Sequence, residues 1–398
     1  MERLENPRLM EPLLPPEGTR VLEDLAVELA SVAAALAGKL SEETVCAVST
    51  LVRSMNCYYS NLIEGHQTHP VDIERALKGD YSSETHKRDL QLEAFAHIEV
   101  QAMIDSQAPS ALGIPRAEYI LWLHREFCSR LPAELLKSRD SKTGKEEAVV
   151  PGEFRRSDVL VGSHLAPVAS ELDGFMRLFE DRYRVDGLSR VMQIVAVAAS
   201  HHRLLWIHPF LDGNGRVARL FSHAFLKSLG VGNALWSVSR GLARNVSEYK
   251  ARLADADSWR EGDTDGRGSL SQRGLIEFCE FFLTVCIDQV RFMTQILEPS
   301  GLLDRVRRYC AEQVERKVMP KGSFEVLREV ILLGALPRAK VTEVTGYKER
   351  QARSVVSRLI ELELVTAESV RAPLKLHIPH EVVSVWFPRL YPGDVSHP

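Results

Sequence analysis

Apolar residues recur three and four positions apart through most of this chain, the spacing of helices that bury one face. "VLEDLAVELASVAAALAG" predicts a helix from Leu22 to Ala37, stopped by Gly38. "SEETVCAVSTLVRSMNCYYSNLIEG" opens on a capping-box-like Ser41-x-x-Thr44 and predicts one helix from about 42 to 64, with Gly65 closing it. "HPVDIERAL", "HKRDLQLEAFAHIEVQAMIDS" and "PRAEYILWLHREFCSRL" predict three more. Helices are also expected at 168–183, 188–206, 215–229 and 269–297. Residues 1–20 are proline-rich and read as extended.

Two stretches break the period. Across 138–166 Gly, Pro and Ser replace it, and "FRRSDVLVG" has the alternation and β-branched residues of a short hairpin. After "EPSGLL" come three short helical patterns, "SFEVLREVILLGAL", "RAKVTEVTG" and "KERQARSVVSRLIELELV". An alternating strand-turn-strand, "TAESVRAPLKLHIP", follows them. A helix, a helix-turn-helix and a β-wing make winged-helix grammar. The expectation is a mainly α chain with one inserted hairpin and a small winged helix-turn-helix domain at its end. Its expected parts are an N-terminal helical region (1–112), a core (113–300), the winged-helix-like domain (303–385) and a tail (386–398).

Composition adds bounds. The chain has 398 residues, 45% hydrophobic and 26% charged, enough for two or three domains with real cores. A net charge of -4 gives no global basic field for nucleic acid. The six cysteines are scattered without a Cys-x-x-Cys pair, so they suggest core residues in a reducing, cytoplasmic setting. The N-terminus lacks a signal-peptide core, and no apolar run approaches the length of a membrane span.

The chemistry concentrates in "HHRLLWIHPFLDGNGRVARLFSHAF", residues 201–225. Pro209 ends the helix that reaches His208. Gly213 and Gly215 permit positive φ and keep side chains out of the way. A helix beginning near Gly215 would leave its first N–H groups free, a nest for phosphate. Arg216 and Arg219, three apart, lie on one face, and guanidinium groups grip phosphate oxygens in pairs. Asp212 offers a hard oxygen ligand suited to Mg²⁺ carried by a nucleotide. His208 is then the group able to take a proton near neutral pH. The spacing describes a nucleotide site with a general base. Gly213-x-Gly215-x-x-Ala218 also fits a dinucleotide fingerprint, but that needs a preceding strand and "HHRLLWIH" is helical. His201 and His202, without a third ligand at suitable spacing, read as helix-surface or core histidines rather than metal ligands.

"HPFLDGNGRVAR" resembles the signature of the Fic (filamentation induced by cAMP) family, His-x-Phe-x-(Asp/Glu)-Gly-Asn-Gly-Arg-x-x-Arg. All fixed positions match: His208, Phe210, Asp212, Gly213, Asn214, Gly215, Arg216 and Arg219. "GEFRRSDVLVG" is similar to that family's flap hairpin, and the resemblance covers roughly residues 110–290. It implies a Fic-type helical core and a protein adenylyltransferase, moving AMP from ATP to a Ser, Thr or Tyr hydroxyl of a protein, the chain itself included. His208 would deprotonate the hydroxyl, which attacks the α-phosphate as pyrophosphate leaves. Gly213, Asn214 and Gly215 would form the anion hole. Asp212 would hold Mg²⁺, Arg216 the β-phosphate and Arg219 the γ-phosphate, with Phe210 a core anchor. The flap, Val159, Leu160, Val161 and Gly162, would lie along the nucleotide and align the protein substrate by strand addition. Arg155 and Arg156 read as solvated flap charges, and Ser163 and His164 as turn residues. Where the family flanks adenine with Tyr-Tyr and a later Asn, this chain has Tyr249, Lys250 and Asp257.

Upstream, "SNLIEG" resembles the family's inhibitory motif, (Ser/Thr)-x-x-x-Glu-(Gly/Asn), at Ser60, Glu64 and Gly65. The resemblance implies that Glu64 salt-bridges Arg219 and takes away the γ-phosphate's partner, in the class with an N-terminal inhibitory helix. In some relatives the same glutamate also supports removal of AMP, so a deAMPylase, or a transferase using another donor, is the nearest alternative. A third reading makes the chain a DNA-binding regulator whose Fic site senses nucleotide. Residues 304–375 carry 15 Lys or Arg against 10 Asp or Glu, and Lys348, Arg350, Arg353 and Arg358 lie on the expected recognition helix. Winged helices also serve as dimerisation or docking modules, so DNA, a protein partner and a homodimer all stay open; a membrane does not.

Overall fold

The computed structural model describes residues 4–38, 40–107, 113–139, 144, 146–162 and 164–392. Packing divides the chain into two compact units, one of residues 1–34 and 56–290, the other of 35–55 and 291–398. No division falls at 112. The boundaries pass instead through helices that a reading of linkers cannot split.

The first unit is helical with two small hairpins. Its helices are α1 (Arg20–Ala37), α2 (Glu42–Ile63), α3 (Pro70–Leu77), α4 (Thr85–Asp105) and α5 (Ala117–Cys128). Two hairpins follow, β1 (Lys137–Arg139) with β2 (Glu146–Ala148), and β3 (Leu160–Val161) with β4 (His164–Leu165). Then come α6 (Leu172–Tyr183), α7 (Arg190–Ile207), α8 (Asn214–Ser228), α9 (Val238–Arg244), α10 (Val246–Asp257) and α11 (Gln272–Ile296). The division places the start of α2 and the last turns of α1 and α11 with the second unit.

The centre is α7 packed on α8. Val195 to Ala199 are buried on every side, as expected of a helix that is apolar all round. Small alanines there let neighbouring helices approach closely, and α6 and α10 pack against α7, while α4 and α5 pack against α8. Several polar groups of α7 inside this core are paired. His201 bonds Ser222 Oγ at 2.8 Å and the Tyr249 hydroxyl at 2.7 Å, and His202 meets Asp257 at 3.1 Å. Both histidines are fully buried core residues. The N-terminal segment is no free arm: Arg203, on α7, donates twice to the Pro12 carbonyl, and Leu4, Met10 and Leu13 are buried.

The loop region differs from expectation in two ways. The expected "FRRSDVLVG" hairpin lies further on, at 160–165, because Arg155 turns inward and interrupts the strand. A second hairpin, 137–148, pairs charged residues such as Arg139 with Glu146, which carry no apolar alternation to read. The helices α9 and α10 also went unread, being short and broken by Asn245.

The second unit holds α12 (Pro299–Glu315), α13 (Ser323–Leu333), β5 (Ala335–Leu336), α14 (Val341–Thr345), α15 (Glu349–Glu361), β6 (Val365–Thr366), β7 (Leu374–Leu376) and α16 (His380–Trp386). Its sheet has the order β5-β7-β6, all antiparallel. α15 buries Ala352, Val355, Val356 and Leu359 and exposes Lys348, Arg350 and Arg353. Arg358 is tied down, its Nε donating to the Val318 carbonyl at 2.8 Å. Within the described residues no helix is long and apolar enough to cross a membrane.

Candidate active site

α7 ends at His208 because Pro209 follows it. His208 takes a left-handed conformation (φ 50°), while its own N–H still reaches the Leu204 carbonyl. A non-glycine residue in that region is uncommon and marks a place where surrounding bonds dictate the backbone. Here the bonds come from Arg155. Its Nε donates to the His208 carbonyl at 2.8 Å, Nη2 to the carbonyls of Pro167 (2.5 Å) and Ile207 (3.4 Å), and Nη1 to that of Ser157 (2.9 Å). Its backbone N–H also donates to the Pro209 carbonyl. Arg155 is 3% exposed, so the expectation of a solvated flap charge is corrected: it joins the root of the flap to the loop carrying His208. Arg156 beside it is exposed and pairs with Glu153.

Replacing Arg155 by alanine would strand several buried carbonyls. The expected cost is about 3 kcal/mol, since bonds to a charged donor are each worth roughly half that. Urea unfolding checks it, and Arg155→Lys, which cannot fork to four carbonyls, should recover only part of the loss.

The loop after His208 closes on itself. Asn214 Oδ1 accepts from the Phe210 N–H at 3.0 Å, and its Nδ2 donates to the Phe210 carbonyl at 2.8 Å. Phe210 is fully buried and stacks on His124, ring centroids 3.9 Å apart. Gly213, at φ 82°, caps α8, so the N–H groups of Asn214, Gly215 and Arg216 precede the first intrahelical donor, the Val217 N–H, which bonds the Gly213 carbonyl. The Gly213 N–H itself is taken by Asp212 Oδ1 at 2.7 Å. The result is an anion-seeking helix start beside His208.

Burial, with the charge of Arg155, pushes the His208 imidazole down to about 4. It is therefore neutral at pH 7, the form that accepts a proton. A hydrogen bond with the Leu205 backbone and the charge of Asp212 act against that shift without reversing it.

The two arginines of α8 face different helices. Arg219 is 2% exposed, and α2 grips it. Its Nε donates to Ser60 Oγ (2.9 Å), and its Nη2 to the Ser60 carbonyl (3.2 Å) and to Glu64 Oε1 (2.5 Å). Burial pushes the Glu64 carboxyl up, but the charge and hydrogen bond of Arg219 outweigh it and hold the group below its ordinary value. Gly65 ends α2 at φ 85°, with Gly65 N–H to Leu62 and His66 N–H to Asn61, the two bonds of a Schellman motif.

Arg216 lies over the Phe127 ring at 5.0 Å, its Nη2 3.2 Å from Asp212 Oδ2. Its Nη1 lies 3.1 Å from Glu93 Oε1, and its buried Nε has no hydrogen-bond acceptor. A buried guanidinium with an unused donor suits an incoming phosphate oxygen. Glu93 also reaches His66 Nδ1 at 2.7 Å.

Gly215 is required by contact. A Cβ there would stand 2.2 Å from Glu64 Oε1. Gly215→Ala should cost about 1–3 kcal/mol as overpacking, and most of that should vanish when Glu64→Gly is also present. Thermal unfolding of the four variants in this cycle measures it.

Asp212 is the half-exposed carboxylate of the loop. Among the described residues no three His, Cys, Asp or Glu side chains gather to hold a metal. A lone carboxylate fits an ion that arrives on phosphates and fills its shell with phosphate and water oxygens.

The flap is a bare hairpin. Leu160 pairs with Leu165 and Val161 with His164, Leu160 and Val161 being exposed. The Val159 carbonyl accepts from Ala166, Gly162 turns at φ 61°, and His164 Nε2 bonds the Trp206 carbonyl at 2.8 Å. Ser163 lies outside the described residues. Tyr249 is placed otherwise than a base-flanking ring requires: it is 2% exposed, its hydroxyl held by His201. Lys250 is exposed, and Asp257 pairs with His202.

The sequence reading missed Glu93, His66 and His124, and misread Arg155. The signal for Glu93 was there: "LQLEAFAHIEVQAMI" places Gln91, Glu93, His97 and Gln101 within the buried stripe of α4. Charged and polar residues on a buried face are paired or functional.

Comparison with known proteins agrees with this geometry. The profile of the Fic/DOC family matches residues 115–226. Over 97 residues the chain is 35% identical to a protein adenylyltransferase Fic of Drosophila willistoni and 34% to that of Drosophila melanogaster. The match covers 24% of this chain and 20% of each relative, so the chain spans about a fifth of the curated relatives' length. A Fic family protein from Desulfovibrio desulfuricans G20 superposes with a TM-score of 0.52 at 17% identity, over 92% of this chain and 98% of that one. Fic-1 (residues 134–508) from C. elegans gives 0.52 at 13% identity, over 71% and 74%. These structural likenesses concern the fold. The stretch that matches the Fic/DOC family profile, residues 115–226, contains the complete 208–219 motif at the start of a buried helix.

Proposed function

We propose that this chain is a protein adenylyltransferase that moves AMP from ATP to a hydroxyl of a protein, restrained by Glu64. The observation that carries the reading is the junction of α7 and α8. There a neutral His208, a helix start with free N–H groups and two buried arginines converge within twelve residues.

The chemistry follows from those groups. His208 takes the proton of the attacking hydroxyl. The oxygen bonds to the α-phosphorus, the bond to the bridging oxygen breaks, and pyrophosphate departs. The N–H groups opening α8 face the charge that builds on the phosphate. Arg216, with its unused Nε, and Arg219 hold the outer phosphates. Mg²⁺ bound with the nucleotide would neutralise phosphate charge, and Asp212 would hold it. The bare hairpin of Leu160 and Val161 suits an extended segment of the protein substrate.

Glu64 supports the restraint, since it occupies the Arg219 guanidinium that the reading gives to phosphate. The test is transfer of label from α-labelled ATP to protein, comparing wild type, Glu64→Gly and Glu64→Gly/His208→Ala. Labelling of Glu64→Gly alone supports the reading. No labelling by any variant, with label moving from another donor, replaces AMP transfer by a different phosphate chemistry at the same site.

A further inference from the structure

Arg216 and Arg219 stand one turn apart on α8, and each faces a carboxylate from another helix. Glu64 of α2 takes Arg219, and Glu93 of α4 faces Arg216 at 3.1 Å. The second pair leads back to α2. Glu93 Oε2 meets His66 Nδ1 at 2.7 Å, and His66 is the residue whose backbone N–H closes the end of α2 on Asn61. The end of α2 is thus fastened to its neighbours on both sides of Gly65, by Glu64 before it and His66 after it.

We propose that His66 and Glu93 form a positioning pair that holds the Glu64-bearing end of α2 against α8, and that this hold weakens as pH rises. The charged groups facing His66 are Glu64 on its own side, Glu93 from α4 and Arg216 from α8. With His66 protonated, three cations (His66, Arg216, Arg219) face three carboxylates (Glu64, Glu93, Asp212). Deprotonation leaves one carboxylate in excess beside the buried Glu93 and Arg216, a cost that solvent at the half-exposed His66 and Asp212 softens.

The hydrogen bond that the His66 ring donates to Glu93 holds the imidazole above its ordinary value, against the effect of burial. A raised folded value means that the pair's contribution is complete below the unfolded value and is lost as pH rises through the folded one. His208, pushed down to about 4, stays neutral throughout that window. The general base therefore does not titrate where the hold does.

The regulatory consequence rests on the adenylyltransferase reading; the hold itself does not. Hydrogen exchange of the 57–66 amides in the full chain tests the hold. His66→Gln and Glu93→Gln should each speed exchange at neutral pH by up to about fivefold, the worth of a partly exposed ion pair. The two changes together should add little. NMR titration of His66 should give a midpoint above 6.5 that falls in Glu93→Gln. Unchanged exchange in both single variants, or a His66 midpoint indifferent to Glu93, overturns the proposal.

Labelling from ATP then separates the two claims. His66→Gln should raise it in wild type and leave it unchanged in Glu64→Gly. An equal rise in both backgrounds overturns action through Glu64. Silence of Glu64→Gly itself sinks the enzymatic reading, while the exchange and titration results still decide the pair.

Discussion

Alanine at His208, introduced together with Glu64→Gly, lowers transfer of label from ATP to protein by about two to four orders of magnitude, the usual worth of a positioned general base. The size follows from the loss of the neutral imidazole that ends α7 beside the start of α8. Nothing nearby can substitute for it. His164 is committed to the Trp206 carbonyl, and His124 is stacked on Phe210, with Nδ1 accepting from the Gly152 N–H. Nucleotide affinity, measured by calorimetry in the same variant, should change little, because the phosphate-holding groups remain. A large loss of affinity with little loss of turnover would make His208 a binding residue and remove it from the proton transfer.

Glu64→Gly alone should raise transfer by roughly 5- to 150-fold, the range of a typical coupling between two sites. Two effects act together. Arg219 loses its 2.5 Å carboxylate partner and turns to phosphate, and the space over Gly215 empties. Ser60 still holds the Arg219 Nε, so the guanidinium keeps its place. Steady-state labelling at several ATP concentrations checks it. The gain should be smallest at saturating nucleotide if Glu64 and ATP exclude one another, and uniform if Glu64 instead disturbs the reacting geometry.

How much of this could be read from residues alone depends on the length of the signal. The long amphipathic patterns were legible: α2, α4, α7 and α11 fall where periodicity put them. The turn between α7 and α8 was legible too, because Pro209 and Gly213 each have a local physical reason to stop one helix and start the next. Glu64 meeting Arg219 was readable only through resemblance, since 155 residues separate them. Arg155 was misread because burial of an arginine is decided by four carbonyls from three segments, of which only that of Ser157 lies in the "FRRS" string. Glu93 and His66 were missed for the same reason. Their pairing is tertiary: Glu93 sits in the buried stripe of α4 and His66 follows the end of α2, and nothing local shows that the two meet. The 137–148 hairpin rests on backbone pairing between charged side chains, which leaves no hydrophobic pattern behind.

The close approach of Glu64 to Gly215 has a consequence for how the restraint responds to its surroundings. A carboxylate standing 2.2 Å from where a side chain would begin occupies volume as well as charge. On the proposed reading it is a competitor tethered to the same chain, present at an effective concentration on the order of millimolar for a short tether. Dilution of the protein cannot remove such a competitor, and added salt screens it weakly because the pair is largely out of water. The cell's two remaining levers are the supply of nucleotide and any contact that draws the end of α2 away. The chain would then answer to the energy state of its surroundings before it answers to its own abundance.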